Sequence, residues 1–130
     1  MRSRLLAVLA LGLMAQAPAP TPPAASADQA PPPAWLARER AQLVVLDKIS
    51  ARTTTLDLKV GQTAKFGPLS IGVRACMVRP PDQPPDATAF IDVTDPTPGA
   101  PQFHAWMIRS APSVSSLQHP VYDLRLAGCL

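Results

Sequence analysis

The placement of proline divides this chain into two parts. Seven of its 17 prolines precede residue 34, and the other ten follow residue 67. Proline lacks a backbone donor and fixes φ, so the dense front stretch, which has few large apolar residues, cannot form a packed element. The pattern predicts an unstructured front and a folded region of about 97 residues, enough for one small domain. It excludes a large enzyme with separate cofactor and substrate domains.

The first segment has the order of residues that is typical of a secretory signal peptide. Arg2 and Arg4 precede an apolar run at residues 5–14, and small residues follow it. Cleavage after Ala17 or after Ala27 fits the pattern equally well, so residues 1–27 are predicted to be the signal peptide. The longest apolar run is too short to span a bilayer, so we expect no transmembrane anchor in the mature form. The predicted location is periplasmic or secreted.

The segment behind the signal is predicted to be a linker. Residues 18–34 consist mainly of proline, alanine, serine and threonine, a composition that favours a disordered, partly polyproline tether. This leaves residues 35–130 as a single domain. Loss of Arg2 and Arg4 from 12 basic and nine acidic residues changes the formal net charge from +3 to +1. The mature protein is therefore not strongly basic, and no nucleic-acid partner is expected.

From Gln42 onward, apolar and polar residues alternate with the period of a β-strand. The clearest alternation, opened by Phe66, runs over residues 69–78, whereas the prolines of residues 79–86 and 95–99 mark loops. A helix of two turns is expected only at residues 34–42. The other predicted strands are residues 42–48, 54–60, 88–94, 103–109 and 121–126. The predicted fold is all-β, an antiparallel sandwich or barrel of about six to seven strands.

Several short stretches form a distinctive combination. They are residues 45–52 (VLDKISAR), 66–76 (FGPLSIGVRAC), 79–81 (RPP), 106–107 (WM), 110–112 (SAP) and 119–123 (HPVYD). Together they resemble the uncharacterised Gram-negative family called domain of unknown function 2155, over about residues 34 to 130. The resemblance implies a small exported bacterial protein, and it supplies no activity and no catalytic residue. The resemblance also suggests a link to envelope lipid transport, which provides the alternative function.

The two cysteines, Cys76 and Cys129, predict one disulfide, because an even count in an exported chain favours pairing. Such a bond encloses about 54 residues and would stabilise the fold by about 4 kcal/mol in the chain-entropy model. The family resemblance includes a cysteine at both places. Cys76 has the parity of Arg74, opposite Ile71, so the bridge is expected on the outer surface. Reactive thiols and metal ligation are the alternatives.

Four residues near the C-terminus have the chemistry of a hydrolase triad. Ser115, Ser116, His119 and Asp123 fall within nine consecutive positions, whereas triad members come from separate elements. The chain also lacks the Gly-x-Ser-x-Gly motif of a nucleophile elbow. We therefore expect His119 or Asp123 to hold a loop by hydrogen bonding, and we predict no catalytic residue.

Metal and cofactor sites have equally weak support. His104, His119, Asp92 and Asp95 could supply ligands, but nothing in their spacing is typical of a metal site. We predict no metal and no cofactor.

Two features are candidates for contact with a partner. Trp35 either plugs an open end of the sandwich or is exposed for a partner. The loop at residues 79–86 is either a stiff connection or a preformed docking surface. Trp106 shares the parity of His104 and Ile108, and we expect at least one large ring to pack between the sheets. The candidate contact residues are Trp35, Arg79, Pro80, Pro81, Pro84 and Pro85.

Three functions are compatible with these features. The first is an exported envelope accessory protein that binds an unidentified envelope protein through direct contacts. The second is a carrier of a small apolar or lipid ligand, which requires a barrel lumen. The third, a hydrolase using His119 and Asp123, has the least support, and the protein is not predicted to be an enzyme.

Overall fold

The structure, a computed structural model, describes residues 34–130. The predicted signal peptide, both cleavage sites and all but the last residue of the predicted linker lie outside this range. Eight strands form the described region. They are β1 (Leu36–Ala37), β2 (Arg40–Asp47), β3 (Arg52–Lys59), β4 (Thr63–Phe66), β5 (Leu69–Val78), β6 (Ala87–Thr94), β7 (Phe103–Ile108) and β8 (Tyr122–Cys129). None of the described residues forms a helix that could cross a membrane.

The strands form two antiparallel sheets, which confirms the predicted all-β fold. One sheet has the order β1-β5-β6-β7, with β4 also paired to β5. The other has the order β3-β2-β8. The short strands β1 and β4 pair with opposite ends of β5, at Met77–Val78 and at residues 69–72. Two separate sheets that enclose one core make the domain a sandwich.

The predicted helix at residues 34–42 is wrong. Leu36 and Ala37 pair with the end of β5, and β2 already begins at Arg40. Ala41 is fully buried, as are Leu43 and Val45, so the alternation of β2 extends two residues further toward the N-terminus than the prediction. Alanine, leucine and arginine favour helices in isolation, but pairing with two neighbouring strands overrides that weak preference.

A tight turn at Gly67 separates β4 from β5, where the sequence analysis placed a single run opened by Phe66. Gly67 has a φ of 54°, in the left-handed region. A Cβ atom at this position would lie 2.6 Å from the hydroxyl of Tyr122. Both the conformation and the contact therefore require glycine, and the chain folds back here into a hairpin.

Aliphatic side chains fill the space between the sheets. Four of them, Leu43, Leu69, Ile71 and Ile91, are fully buried and come from both sheets. Burying a side chain of this size stabilises a fold by roughly 1.5–3 kcal/mol. The remaining buried apolar residues are Ala41, Val45, Leu58, Val73, Cys76, Ala87, Ala89, Val93, Met107, Leu117, Leu124 and Leu126.

The predicted disulfide between Cys76 and Cys129 is present and joins β5 of one sheet to β8 of the other. Its expected place on the outer surface is wrong, because Cys76 is only 1% exposed. A β-bulge shifts the register between Val73 and Ala75. The extra residue reverses the parity of the strand, so that Val73 and Cys76 both point inward.

Candidate functional site

The outer face of the five-stranded sheet carries large apolar side chains. Strand register places Met77, Thr88 and Ile108 in one row across β5, β6 and β7, and it places Ala75, Phe90 and Trp106 in a second row. The neighbouring inner rows contain the buried residues of the core, so these two rows face away from it. Trp35, just before β1, lies against the first row. We call Trp35, Met77, Phe90, Trp106 and Ile108 the tryptophan face.

Trp106 does not pack between the sheets, which corrects the expectation from its parity. Its side chain is 41% exposed, and its ring contacts that of Phe90 edge to face, with centroids 5.5 Å apart. The other parity of β7 is the inner one, because Met107 pairs with the buried Ala89. The aromatic rings that pack against the core are those of Phe66, Phe103 and Tyr122.

Trp35 lies on the same outer face and is half-buried. It lines a groove of about 340 Å³ together with Met77, Thr88, Trp106 and Ile108. This position excludes the interpretation of Trp35 as a plug for an open end of the sandwich. The Thr88 hydroxyl donates a hydrogen bond to the Met107 carbonyl at 2.9 Å.

Arg79 connects Trp35 to the predicted proline-rich loop. Its guanidinium carbon lies 4.5 Å from the centroid of the Trp35 ring, within the range of a cation–π contact. Its Nη1 also donates to the Gln83 side-chain oxygen at 3.1 Å. The structure therefore brings the two candidate contact features, Trp35 and the loop, into one continuous surface.

Hydrogen bonds brace the loop at residues 79–86. The Arg79 backbone N–H donates to the Asp86 carbonyl at 3.1 Å, and Arg109 donates to the Pro85 carbonyl at 3.0 Å. Burial raises the pKa of Asp86, but hydrogen bonds from the Ser110 hydroxyl and from backbone N–H groups outweigh it, so the pKa lies below its ordinary value. Pro80 is half-buried and its three companions Pro81, Pro84 and Pro85 are exposed.

His119 holds a loop, as the sequence analysis expected, and its geometry does not fit a hydrolase. The imidazole is buried, and its Nε2 lies 3.1 Å from Asp95 Oδ2. Its Nδ1 accepts hydrogen bonds from the backbone N–H groups of Val121 and Tyr122, at 3.1 and 3.2 Å. Nδ1 is therefore unprotonated and Nε2–H donates to Asp95. With both nitrogens engaged, this imidazole cannot take a proton from a nucleophile without breaking the loop.

Neither Asp123 nor Ser116 forms a hydrogen bond with the His119 side chain. Asp123 accepts hydrogen bonds from the Leu124 N–H and from Arg125. The Ser116 hydroxyl accepts one from Gln118 at 2.8 Å. Within residues 34–130, His119 is thus paired with an aspartate that the hydrolase hypothesis did not include.

The four candidate metal ligands separate into two pairs. His119 and Asp95 form the buried pair, and hydrogen bonds from the side chain and backbone of Thr97, followed by that from His119, lower the pKa of Asp95. His104 and Asp92 form an exposed pair, with Nδ1 and Oδ1 2.8 Å apart. No three potential ligands gather around one point in the part of the chain that the structure describes.

Asp92 is held by Arg74 and His104 on the polar half of the outer face. The hydrogen bond from His104 contributes most to lowering its pKa, burial opposes this, and the ion pair with Arg74 lowers it further. Arg74 also lies 6.0 Å from the Phe90 ring centroid. These charges border the tryptophan face on one side.

The sequence analysis identified Trp35, Arg79 and the loop as candidate contact residues, but it did not include Trp106 and Ile108 among them. The sequence of β7 contained a signal for the orientation of these two side chains, because His104 has the same parity as both residues. A histidine on that parity is more typical of the solvent face than of a small aliphatic core. Assigning His104 outward would have placed both apolar side chains outward with it.

Comparison with known proteins identifies a family. The family model described as "Uncharacterized protein conserved in bacteria (DUF2155)" matches residues 41–129. An uncharacterised protein of Rickettsia prowazekii (strain Madrid E) is 28% identical over 94 residues, which cover 68% of this chain and 59% of the relative. The chain thus spans less than two thirds of that relative's length. No solved structure gives a significant match.

Proposed function

The chain belongs to the bacterial family of uncharacterised proteins DUF2155, and we propose that it is an exported envelope protein that binds another protein and performs no catalysis. The observation that carries this proposal is the tryptophan face. It combines two tryptophans, a phenylalanine and a neighbouring arginine on one exposed sheet surface. Tryptophan and arginine are the residue types most enriched among side chains that dominate binding energy at protein interfaces.

The arrangement of these side chains also supports binding. Trp106 is braced by Phe90, and Arg79 is held between Trp35 and Gln83, so little side-chain freedom remains to be lost on association. The groove between the tryptophans gives a partner a concave apolar surface. A preformed surface of this kind favours contact with a second protein.

The disulfide supports export. A bond between Cys76 and Cys129 persists in an oxidising compartment, such as the periplasm, and is rare in the cytosol. We expect N-terminal sequencing of the periplasmic fraction to begin at Pro18 or Asp28. Recovery of the protein from the cytosol with Met1 intact would contradict export.

The packed interior supports protein binding over carriage of an apolar ligand. A carrier needs an internal cavity of at least ~300 Å³. The space between the two sheets of this sandwich is occupied by Leu43, Ile71, Ile91 and their neighbours. The carrier is the second candidate for a different reason. The groove on the tryptophan face is apolar enough to contact a lipid chain.

The proposal is tested by complementation of a deletion strain, with thermal melts run on each purified variant. Trp35→Ala and Trp106→Ala are expected to abolish complementation while the proteins remain folded. Ile49→Ala is the matched control, because Ile49 is 81% exposed in the turn after β2, away from the tryptophan face. Complementation by both tryptophan variants would overturn the proposal.

A second arm of the same assay tests catalysis. His104→Ala removes a half-exposed imidazole, and the binding function predicts full complementation by this variant. A His104→Ala protein that melts like the wild type but fails to complement would favour an enzyme or a metal site instead.

A further inference from the structure

We propose that β7 pairs in antiparallel fashion with β7 of a second copy of this chain, in the register that places the two Trp106 residues opposite each other. The two five-stranded sheets then form one continuous sheet, and the two tryptophan faces become one surface. This inference is independent of the proposed function. It follows from the free backbone groups of β7, from its lack of the features that protect sheet edges, and from its fit to a second copy of itself.

One side of β7 has backbone groups with no neighbouring strand. β7 lies at the edge of its sheet and, among the described strands, pairs with β6 alone. Just beyond the paired residues, the Arg109 N–H donates to the Ala87 carbonyl at 2.9 Å, which fixes the alternation of the ladder. Every second residue of β7 bonds to β6, and the residues between them direct both their N–H and their C=O groups away from the sheet. These outward-directed residues are His104, Trp106 and Ile108.

The chain that follows β7 satisfies only one of these three N–H and three C=O groups. The Ala111 N–H donates to the Ile108 carbonyl at 3.3 Å, and the other five groups have no backbone partner within residues 34–130. The segment after this turn lies beside the other sheet, where Pro112 and Ser116 line a cavity with Leu124 of β8. The edge of β7 is therefore available to another strand.

β7 lacks the features that protect exposed sheet edges. Natural edge strands are short, bulged or charged, because a flat and uncharged edge pairs with other chains. β3 contains three charged residues among its eight, β1 and β4 have two and four residues, and the register of β8 shifts along β2. β7 has the sequence FHAWMI, without a lysine, arginine, carboxylate or proline, and its register with β6 is unbroken. Among the edge strands that the structure describes, β7 is thus the one suited to accept another strand.

The free backbone groups of β7 are complementary to those of a second copy. When Trp106 lies on a two-fold axis perpendicular to the sheet, it faces Trp106 of the second copy, and His104 faces Ile108 in both directions. The outward-directed residues of one copy then lie opposite those of the other, so each N–H meets a C=O. Three such residues in each copy exchange six hydrogen bonds, two of which share an Ile108 carbonyl with Ala111. A register shifted by one residue would instead place these residues opposite groups that already bond to β6.

The side chains on both faces fit the same register. On the outer face, the two Trp106 rings become cross-strand neighbours, an aromatic pair of the kind that stabilises antiparallel strands. On the inner face, Ala105 lies opposite Met107, so apolar side chains meet. Beyond the strand, Arg109 lies opposite Phe103 and not opposite the same arginine of the other copy. Within residues 103–109, no like charges therefore face each other.

Sedimentation equilibrium of the purified protein, at concentrations up to about 1 mM, measures the pairing, and we expect a dimer with a dissociation constant below about 0.1 mM. Trp106→Glu and Trp106→Lys each place like charges opposite each other, so each should weaken the dimer roughly tenfold or more. An equimolar mixture of the two variants places opposite charges there and should restore the dimer. Thr55→Glu and Thr55→Lys are the matched controls, because Thr55 is exposed in β3, at the edge of the other sheet. Both controls should associate like the wild type.

Amide hydrogen exchange locates the interface without any substitution. As the protein concentration rises, the amides of His104, Trp106 and Ile108 should exchange more slowly, because pairing engages them in hydrogen bonds. The amides of Thr53 and Thr55 are the internal control, since they also point away from the neighbouring strand, at the edge of β3. Their exchange should not depend on protein concentration.

The proposal is wrong if the protein is a monomer at about 1 mM. It is also wrong if the mixture of the two Trp106 charge variants dimerises no better than either variant alone, or if exchange slows at β3 and not at β7. Thermal melts show whether each variant is folded, and the exchange measurement on the wild type decides the question for any variant that is not. The proposed function is tested separately, by complementation.

Discussion

The two faces of the five-stranded sheet differ in the kind of apolar residue that they carry. The inner face is aliphatic, with Ile71, Ile91 and Val93 fully buried. The outer face holds both tryptophans and Phe90. Small β-branched side chains suffice to pack two sheets together, and a disulfide adds a covalent link between them. The large rings thus lie on the outer face, so the residues that stabilise the fold and those of the proposed binding surface are on opposite faces of the sheet.

The largest effect should come from the covalent link behind the inner face. Replacing both Cys76 and Cys129 by alanine is expected to lower the free energy of unfolding by about 4 kcal/mol, because the unfolded chain regains the freedom of a long loop. Urea denaturation of the oxidised wild type and the variant measures this difference. The intact protein should also weigh two protons less than its dithiol form. Freely alkylated thiols in periplasmic material would contradict the prediction.

A matched pair of isoleucines compares the two faces directly. Ile91 in β6 is fully buried on the inner face, whereas Ile108 in β7 is half-buried on the outer face. Ile91→Ala should cost about 3 kcal/mol, the sum of lost burial and a cavity that cannot collapse. Ile108→Ala should cost below about 1 kcal/mol. Equal losses in the free energy of unfolding, measured by urea denaturation, would show that the outer face stabilises the fold as much as the inner face does.

The alternation of apolar and polar residues predicted most of the strands, but it did not always predict which side chains face the core. Most strands and the proline loops were predicted within a few residues because alternation and proline are local signals. The bulge at Arg74 was not predictable, since it depends on how β5 pairs with β6, and it reversed the assignment of Cys76. β1 escaped detection because two residues show no period and form a strand only through β5.

The candidate site was predicted in pieces. Trp35 and the loop were recognised separately from their unusual neighbours in the sequence, but their connection through Arg79 is a contact in space. The partner of His119 was missed for the same reason, because Asp95 lies 24 positions away in sequence. The pairing of residues across loops is set by the tertiary fold.

The buried and exposed histidines extend the comparison to polar groups. His119 is 5% exposed and accepts two backbone hydrogen bonds, whereas His104 is 51% exposed. His119→Ala should lower the free energy of unfolding by about 2 kcal/mol, since it leaves two part-buried backbone N–H groups unpaired and removes one of the hydrogen-bond donors to Asp95. His104→Ala should change it by less than about 0.5 kcal/mol. A stability loss in His104→Ala that matches that of His119→Ala would contradict this assignment.

The smallest expected effect is a change in how stability depends on pH. Hydrogen bonds from Thr97 and then from His119 lower the pKa of Asp95 below its ordinary value of 3.8. A carboxyl whose pKa is lower in the folded state stabilises the fold above pH 3.8, and this contribution is lost as the pH falls through the folded value. Asp95→Asn should therefore be less stable than the wild type at neutral pH and should lose less stability on acidification below pH 3.8. The change is small because Asp47, Asp86 and Asp92 also have lowered pKa values and remain in the variant. Urea denaturation midpoints measured from neutral to acidic pH give both curves, and parallel curves would show that Asp95 contributes nothing to acid sensitivity.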